Sequence, residues 1–157
     1  MPEARLSARG EAIAAVIQAA GIAGDPLEAD HGGSPILKVP PEQLLAIARS
    51  LASDLGYSYL SCLTALDWPD RWEVVYHLHD FQRNGTLVVK TSTPKDEDTL
   101  PSVTSIWPAA NWYEREAFDM FGIRFEGHPN LCRILMADDW QTFPMRKDQP
   151  MDVEGGY

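Results

Sequence analysis

The stretch from Trp72 to Asp80 alternates so cleanly that it reads as a pleated strand and little else. Trp72, Val74, Tyr76 and Leu78 fall on one face, and Glu73, Val75, His77 and His79 on the other. Asn84-Gly85 follows, the strongest short hairpin signal a sequence can carry, and Thr86 to Ser92 supplies the returning strand. Upstream, Tyr57 to Leu66 is a third strand, joined through the turn Trp68-Pro69-Asp70. Three strands in line with short turns make an antiparallel meander.

Such a sheet needs cover on its apolar face. Ile13, Val16, Ile17 and Ala20 recur at helical spacing, so residues ~7–20 form an amphipathic helix ending at Gly21. Pro40-Pro41 opens a second helix whose stripe is Leu44, Ala48, Leu51 and Leu55, with Gly56 as its stop. Between them lie a loop from Gly24 to Pro35 and a short strand, Ile36 to Val39. The expected fold is α+β: an antiparallel meander packed by N-terminal helices, then a helix and an extended C-terminal arm. Residues 1–142 form the single domain and 143–157, with prolines, glycines and mixed charges, the arm.

The chain's 157 residues fit one domain with a real core. A net charge of -10 and a pI near 4.7 disfavour nucleic acid, whose phosphates need clustered Lys and Arg. Nothing approaches the ~18 apolar residues of a membrane span, and Met1 to Gly10 lacks the basic-then-apolar pattern of a secretory signal. Cys62 and Cys132 are too few for an iron–sulfur cluster, which takes about four cysteines, so both read as free thiols of a reducing compartment.

Pro94 to Pro101 is polar and acidic, a connection, and Ser102 to Trp107 suits one or two helical turns. The next helix carries the densest chemistry. Asn111 stands as its cap with Glu114 as capping-box partner, and Gly122 closes it. Glu114, Phe118 and Phe121 share one face, while Glu116 lies with Trp112, Asp119 and Met120, so carboxylates interleave with aromatics. Three readings apply. Glu114 and Glu116 are paired acids for general acid–base work, raised in pKa by burial. Or Glu114 caps, Arg115 pairs with Asp119 and Glu116 is solvated. Or the helix is buried on two sides, by its own domain and by a partner, with arginines bridging the acids; this fits the pattern better. No nucleophile and no Gly-rich phosphate loop stands near.

Elsewhere, His77 and His79 share a face one pleat apart, a chelating spacing without a third ligand, so they read as solvent-side residues. His128, in Gly127-His128-Pro129-Asn130, suits a turn-fixing imidazole more than a proton relay. Arg124, Arg133, Arg146 and Lys147 are placed to meet acidic groups, within the chain or across an interface. Cys132 beside Arg133 is a structural thiol. Five tryptophans, three of them (Trp107, Trp112, Trp140) late in the chain, suit core or interface centres.

In order along the chain stand Glu-Arg-Glu-x-x-Asp-Met-Phe-Gly at 114–122, Gly-His-Pro-Asn-Leu at 127–131, Arg-Ile-Leu at 133–135, Asp-Trp at 139–140 and Pro-Met-Arg-Lys-Asp at 144–148. This series resembles the signature of the 30 kDa subunit of respiratory complex I, the bacterial NuoC and cyanobacterial and chloroplast NdhJ type. The resemblance spans residues ~101–150. It implies a structural subunit without catalytic residues or cofactors of its own, in the hydrophilic arm of a proton-translocating NADH:quinone oxidoreductase. It implies a place on the cytoplasmic side of the membrane, peripheral, packed on the 49 kDa-type (NuoD-like) quinone-site subunit near iron–sulfur subunits. FMN, iron–sulfur clusters and quinone would belong to those partners. Glu114, Arg115, Glu116, Asp119, Gly122, His128, Arg133, Arg146, Lys147 and Asp148 carry the motif, with roles in fold-fixing and partner contact. Two departures stand out: Cys132 replaces a usual basic residue, and Gln141-Thr142-Phe143 replaces a Gly- and His-containing stretch. A membrane-bound NiFe hydrogenase or formate hydrogenlyase subunit shares this module, and a free-standing acid–base enzyme using Glu114, Glu116 and His128 is the rival of another class.

Overall fold

The computed structural model describes residues 5–19, 21 and 28–149; Ala20, residues 24–27 of the expected first loop and residues 150–157 of the expected arm lie outside them. The three-strand meander forms as the alternation requires. Strands β3 (Tyr59–Asp67), β4 (Arg71–Asp80) and β5 (Gly85–Pro94) pair antiparallel in that order. On β4 the side chains of Trp72, Val74, Tyr76 and Leu78 are all buried. Removing one such side chain from water stabilises the fold by roughly 1.5–3 kcal/mol.

The sheet is wider than the meander. Strands β1 (Glu28–Ala29) and β2 (Pro35–Lys38) extend it to five, in the order β1-β2-β5-β4-β3. β2 runs parallel to β5, Ile36 facing Val88, so the sheet is mixed rather than purely antiparallel. Val75, Val88 and Ile36 then meet on the face away from the main core, which buries Val75 although it alternates with the core residues.

The hairpin between β4 and β5 also differs from the two-residue loop that Asn84-Gly85 suggests. Asp80 pairs with Gly85, leaving Phe81 to Asn84 as a four-residue loop in which Asn84 takes a left-handed φ of 48°. Asp80 fixes this loop. Its Oδ1 accepts the Gln82 N–H at 2.8 Å, and its Oδ2 meets Arg83 at 2.7 Å. Arg83 also donates to the Leu55 carbonyl, tying the loop to the end of the second helix.

Helix α1 (Ala8–Ala19) buries Ile13 and Ile17 as its spacing predicts. Helix α2 (Pro41–Ser53) starts where Pro40 and Pro41 pre-set the backbone, carries Glu42 in its first turn, and buries Leu44, Ile47, Ala48 and Leu51. Both helices pack on the face that carries Trp72 and Tyr76, merging into one core. The acidic connection from Pro94 ends in a short strand, β6 (Thr99–Pro101), parallel to β7 (Arg124–Glu126). This two-stranded unit brackets helix α3 (Ala110–Phe121), which lies against β3. Trp107 anchors the approach to α3, its indole N–H donating to the Tyr57 carbonyl at 2.9 Å.

Candidate functional site

α3 ends as its sequence demands. Gly122 adopts φ 78° and its N–H closes on the Phe118 carbonyl, a conformation that costs other residues about 1–2 kcal/mol. Its start does not follow the capping-box expectation. Ala109 is the N-cap residue and makes no side-chain cap, while Glu114 is 0% exposed and turned into the core. There Oε1 accepts the Val103 N–H at 2.8 Å and Oε2 meets the Ser102 hydroxyl at 2.6 Å. Burial drives the Glu114 carboxyl up to about 7, against the opposing pull of these two donors.

Asp119, five residues on, is equally enclosed but oppositely served. Its Oδ2 accepts three successive backbone N–H groups, from Ile134, Leu135 and Met136, and its Oδ1 meets Arg133 at 2.6 Å. Burial pushes this carboxyl up, yet the Met136 N–H, Arg133 and the N–H groups of Ile134 and Leu135 outweigh it and hold it at about 2. The Arg115–Asp119 pair of the second reading is not formed; the acid is bridged by Arg133, as the third reading has it of arginines. Arg115 instead donates to the carbonyls of Cys132 and Arg133. Both arginines thus tie the segment after Gly127 onto α3. Arg133 extends the tie to the carbonyls of Trp140 and Thr142.

Residues 143–149 continue this wrapping. Phe143 meets Phe118 edge-on, Met145 N–H donates to the Met120 carbonyl, and Arg146 caps the α3 terminus through the Phe121 carbonyl. The Arg146 guanidinium lies 4.7 Å from the Phe143 ring centre and 5.0 Å from that of Trp72. Lys147 donates from its backbone to Asp67 Oδ2 and from Nζ to the Asp67 carbonyl. Asp67 is the residue that sequence reasoning missed. It closes β3, pairs with Lys95 at 2.5 Å, and is held below the usual carboxylate range because Lys95 and Lys147 outweigh its burial. Nothing local to Asp67 signals this, since its partners lie far along the chain.

Of the residues expected at a partner contact, Glu114 and Asp119 are interior, Arg115, His128, Arg133 and Arg146 half-buried, and Glu116, Lys147 and Asp148 exposed. Glu114 and Glu116 do not converge, so the paired-acid arrangement is not formed. His128 fixes its turn: Nδ1 accepts the Asn130 N–H and Nε2 donates to the Asn111 carbonyl. His79 sits against Phe81 and Thr86, and among the described residues no group of three His, Cys, Asp or Glu is placed to hold a metal. Arg124 pairs with Asp98 at 3.0 Å.

The wrapped segment and the end of β3 leave a groove of about 300 Å³ lined by Leu66, Asp67, Trp68, Phe121, Met145 and Lys147. Leu66, Trp68 and Met145 are exposed beside it, and Trp112 stands 62% exposed on α3 with Arg115 stacked over it. No helix among the described residues is long and apolar enough to cross a membrane.

The fold of this chain recurs in two solved structures. A trypsin-resistant fragment of Nqo5 shares it at a TM-score of 0.65 and 30% identity, over 78% of this chain and 99% of that one. So does a chain of the membrane-bound sulfane sulfur reductase, an archaeal respiratory membrane complex, at 0.73 and 30%, over 90% and 85%. The family model for the 30 kDa subunit of respiratory-chain NADH dehydrogenase matches residues 37–154. The C subunit of NADH-quinone oxidoreductase from Moorella thermoacetica is 45% identical over 124 residues, 78% of this chain and 84% of its own length. The C/D subunit of NADH-quinone oxidoreductase from Methylococcus capsulatus is 43% identical over 130 residues, 75% of this chain but 22% of that longer one. This chain belongs to the respiratory-chain NADH dehydrogenase 30 kDa subunit family.

Proposed function

We propose that this chain is a structural subunit, without redox groups of its own, in the hydrophilic arm of a proton-translocating NADH:quinone oxidoreductase. It packs on the 49 kDa-type, D-like subunit on the cytoplasmic side of the membrane. FMN, iron–sulfur clusters and quinone are carried by its partners. The observation that carries this reading is the exposed apolar rim of Leu66, Trp68 and Met145 about the groove beside Lys147. Large apolar side chains left in water on a small acidic domain are how interface centres present themselves, with aromatic residues dominating the binding energy. Glu116, Lys147 and Asp148, all exposed, supply charged contacts around the apolar patch. The C/D relative, a single chain several times the matched length, supports the D-like subunit as the neighbour.

The structural likeness to the sulfane sulfur reductase supports a second reading, the equivalent subunit of another membrane-bound respiratory or hydrogenase-type complex. The higher identity to the NADH-quinone oxidoreductase relative, 45% against 30%, favours the first.

The test is a mild-detergent pull-down on the tagged chain in its native membrane. Wild type recovers flavin- and cluster-bearing subunits with the D-like subunit; a Trp68→Asp, Met145→Asp double variant stays folded by circular dichroism and loses them. Recovery undiminished in the variant sinks the surface assignment. A purified monomer with its own turnover, abolished by Glu116→Gln, sinks the structural reading altogether.

A further inference from the structure

Glu114 is a buried carboxyl with hydroxyls around it and no cation. Every charged neighbour on α3 is engaged or turned away: Arg115 on backbone carbonyls, Glu116 at the surface, Asp119 on Arg133. From β4 the titratable group facing it is Tyr76, a fully enclosed phenol whose hydroxyl has no hydrogen-bond partner among the described residues and which Glu114 pushes further above its ordinary range. From the segment after β6 come Ser102, Val103 and Thr104. No described Lys, Arg or His forms an ion pair with it. An isolated carboxylate in such a place is costly, and the group neutralises instead.

The hydroxyl geometry suits both charge states. Ionised, Glu114 accepts from Val103 N–H at Oε1 and from the Ser102 hydroxyl at Oε2. Protonated on Oε2, it donates to Ser102 Oγ instead, and the Ser102 hydroxyl rotates to donate to Thr104 Oγ1, 2.9 Å away. Ser102 Oγ accepts the Thr104 N–H at 3.3 Å in either state. The Thr104 hydroxyl, which donates to Ser102 Oγ in the ionised state, gives up that bond when the proton arrives, at a residue that is half-buried rather than enclosed. Thr104, half-buried, brings the pair to the protein's edge.

We propose that Glu114 is a proton-binding site of the folded domain, loaded from solvent through the Ser102–Thr104 hydroxyl pair. One O–H bond forms at Oε2 as one breaks in a solvent acid, with the two hydroxyls reversing direction and no electrons exchanged. The site lies under the start of α3, so its loading is tied to how that helix is seated on Ser102 and Val103. It is independent of the partner reading above.

The test is infrared difference spectroscopy of the full chain titrated from about pH 5 to about pH 9, a span that brackets perturbed carboxyls. Asp67, Asp80 and Asp119, all held low, are ionised throughout and add no protonated-carboxyl band of their own. The expected result is a carboxylic C=O band that titrates near neutrality, disappears in Glu114→Gln and persists in Glu116→Gln. Ser102→Ala removes a donor to the ionised form and raises the midpoint; a purely structural Ser102 would lower stability without moving it. Absence of the band in wild type, its survival in Glu114→Gln, or an unmoved midpoint in folded Ser102→Ala overturns the proposal.

Discussion

Arg133 Nη1 lies 2.6 Å from Asp119 Oδ1, with the two side chains 12% and 0% exposed, and joins the helix to the segment that follows it. Removing one partner of such a pair leaves the other buried and uncompensated, at a cost of about 3–5 kcal/mol. Three backbone N–H groups still serve Asp119, so Arg133→Ala is expected at the lower end, about 3 kcal/mol. Urea unfolding followed by tryptophan fluorescence measures it. A loss within about 0.5 kcal/mol would show the pair to be no stronger than a surface bridge.

Asp119 also fixes an acid limit. Its folded pKa of about 2 lies below the ordinary 3.8, so its stabilisation is complete above about 4 and drains away as pH falls through 2. The window is worth about 2 kcal/mol. Unfolding free energies at about pH 4 and about pH 2 should differ by that amount more in wild type than in Asp119→Asn.

Glu114 acts with the reverse sign. Raised from 4.5 to about 7, it stabilises most at low pH, and that contribution is lost as pH rises through the folded value. Between about pH 5 and about pH 9 the wild type should lose about 3 kcal/mol that Glu114→Gln retains. Parallel pH–stability curves for the two proteins would refute it.

Gly122 holds two functions in one atom's absence. A Cβ there meets a left-handed φ of 78° and would stand 2.7 Å from Phe143 and 2.8 Å from Arg146. Gly122→Ala is expected to cost about 1–2 kcal/mol from the backbone alone. It should also displace residues 143–147, seen as faster amide exchange at Met145 and Lys147 with β4 unchanged. Exchange at Met145 equal to wild type would refute the second half.

The meander was legible because alternation is a local property: Trp72 to Leu78 declare their face without reference to any partner. Gly122 was legible for the same reason, as was the His128 turn. The site was not. Asn111-x-x-Glu114 has the spacing of a capping box, but spacing cannot tell a glutamate that turns back to its own helix from one taken by Ser102 and Val103, upstream of the helix. One of the three readings paired Asp119 with Arg115, a helical neighbour, but Asp119 is claimed by Arg133 and by a run of backbone N–H groups, which leave no mark on side-chain identity. Asp67 is served by Lys147 from 80 positions away. The parallel pairing of β2 escaped likewise, because a four-residue strand says nothing about the direction of its neighbour.

That parallel pairing has a consequence for how the molecule is born. β3, β4 and β5 find each other across short turns as soon as they are made. β2 leaves the ribosome before all three, and its partner Val88 is about fifty residues later in synthesis, which at ~5–20 residues per second is a wait of roughly 3–10 s. During that interval β2 has only the two residues of β1 to pair with. That order of synthesis separates Ile36 from its β5 partner by more of the chain than lies between any paired residues of the meander.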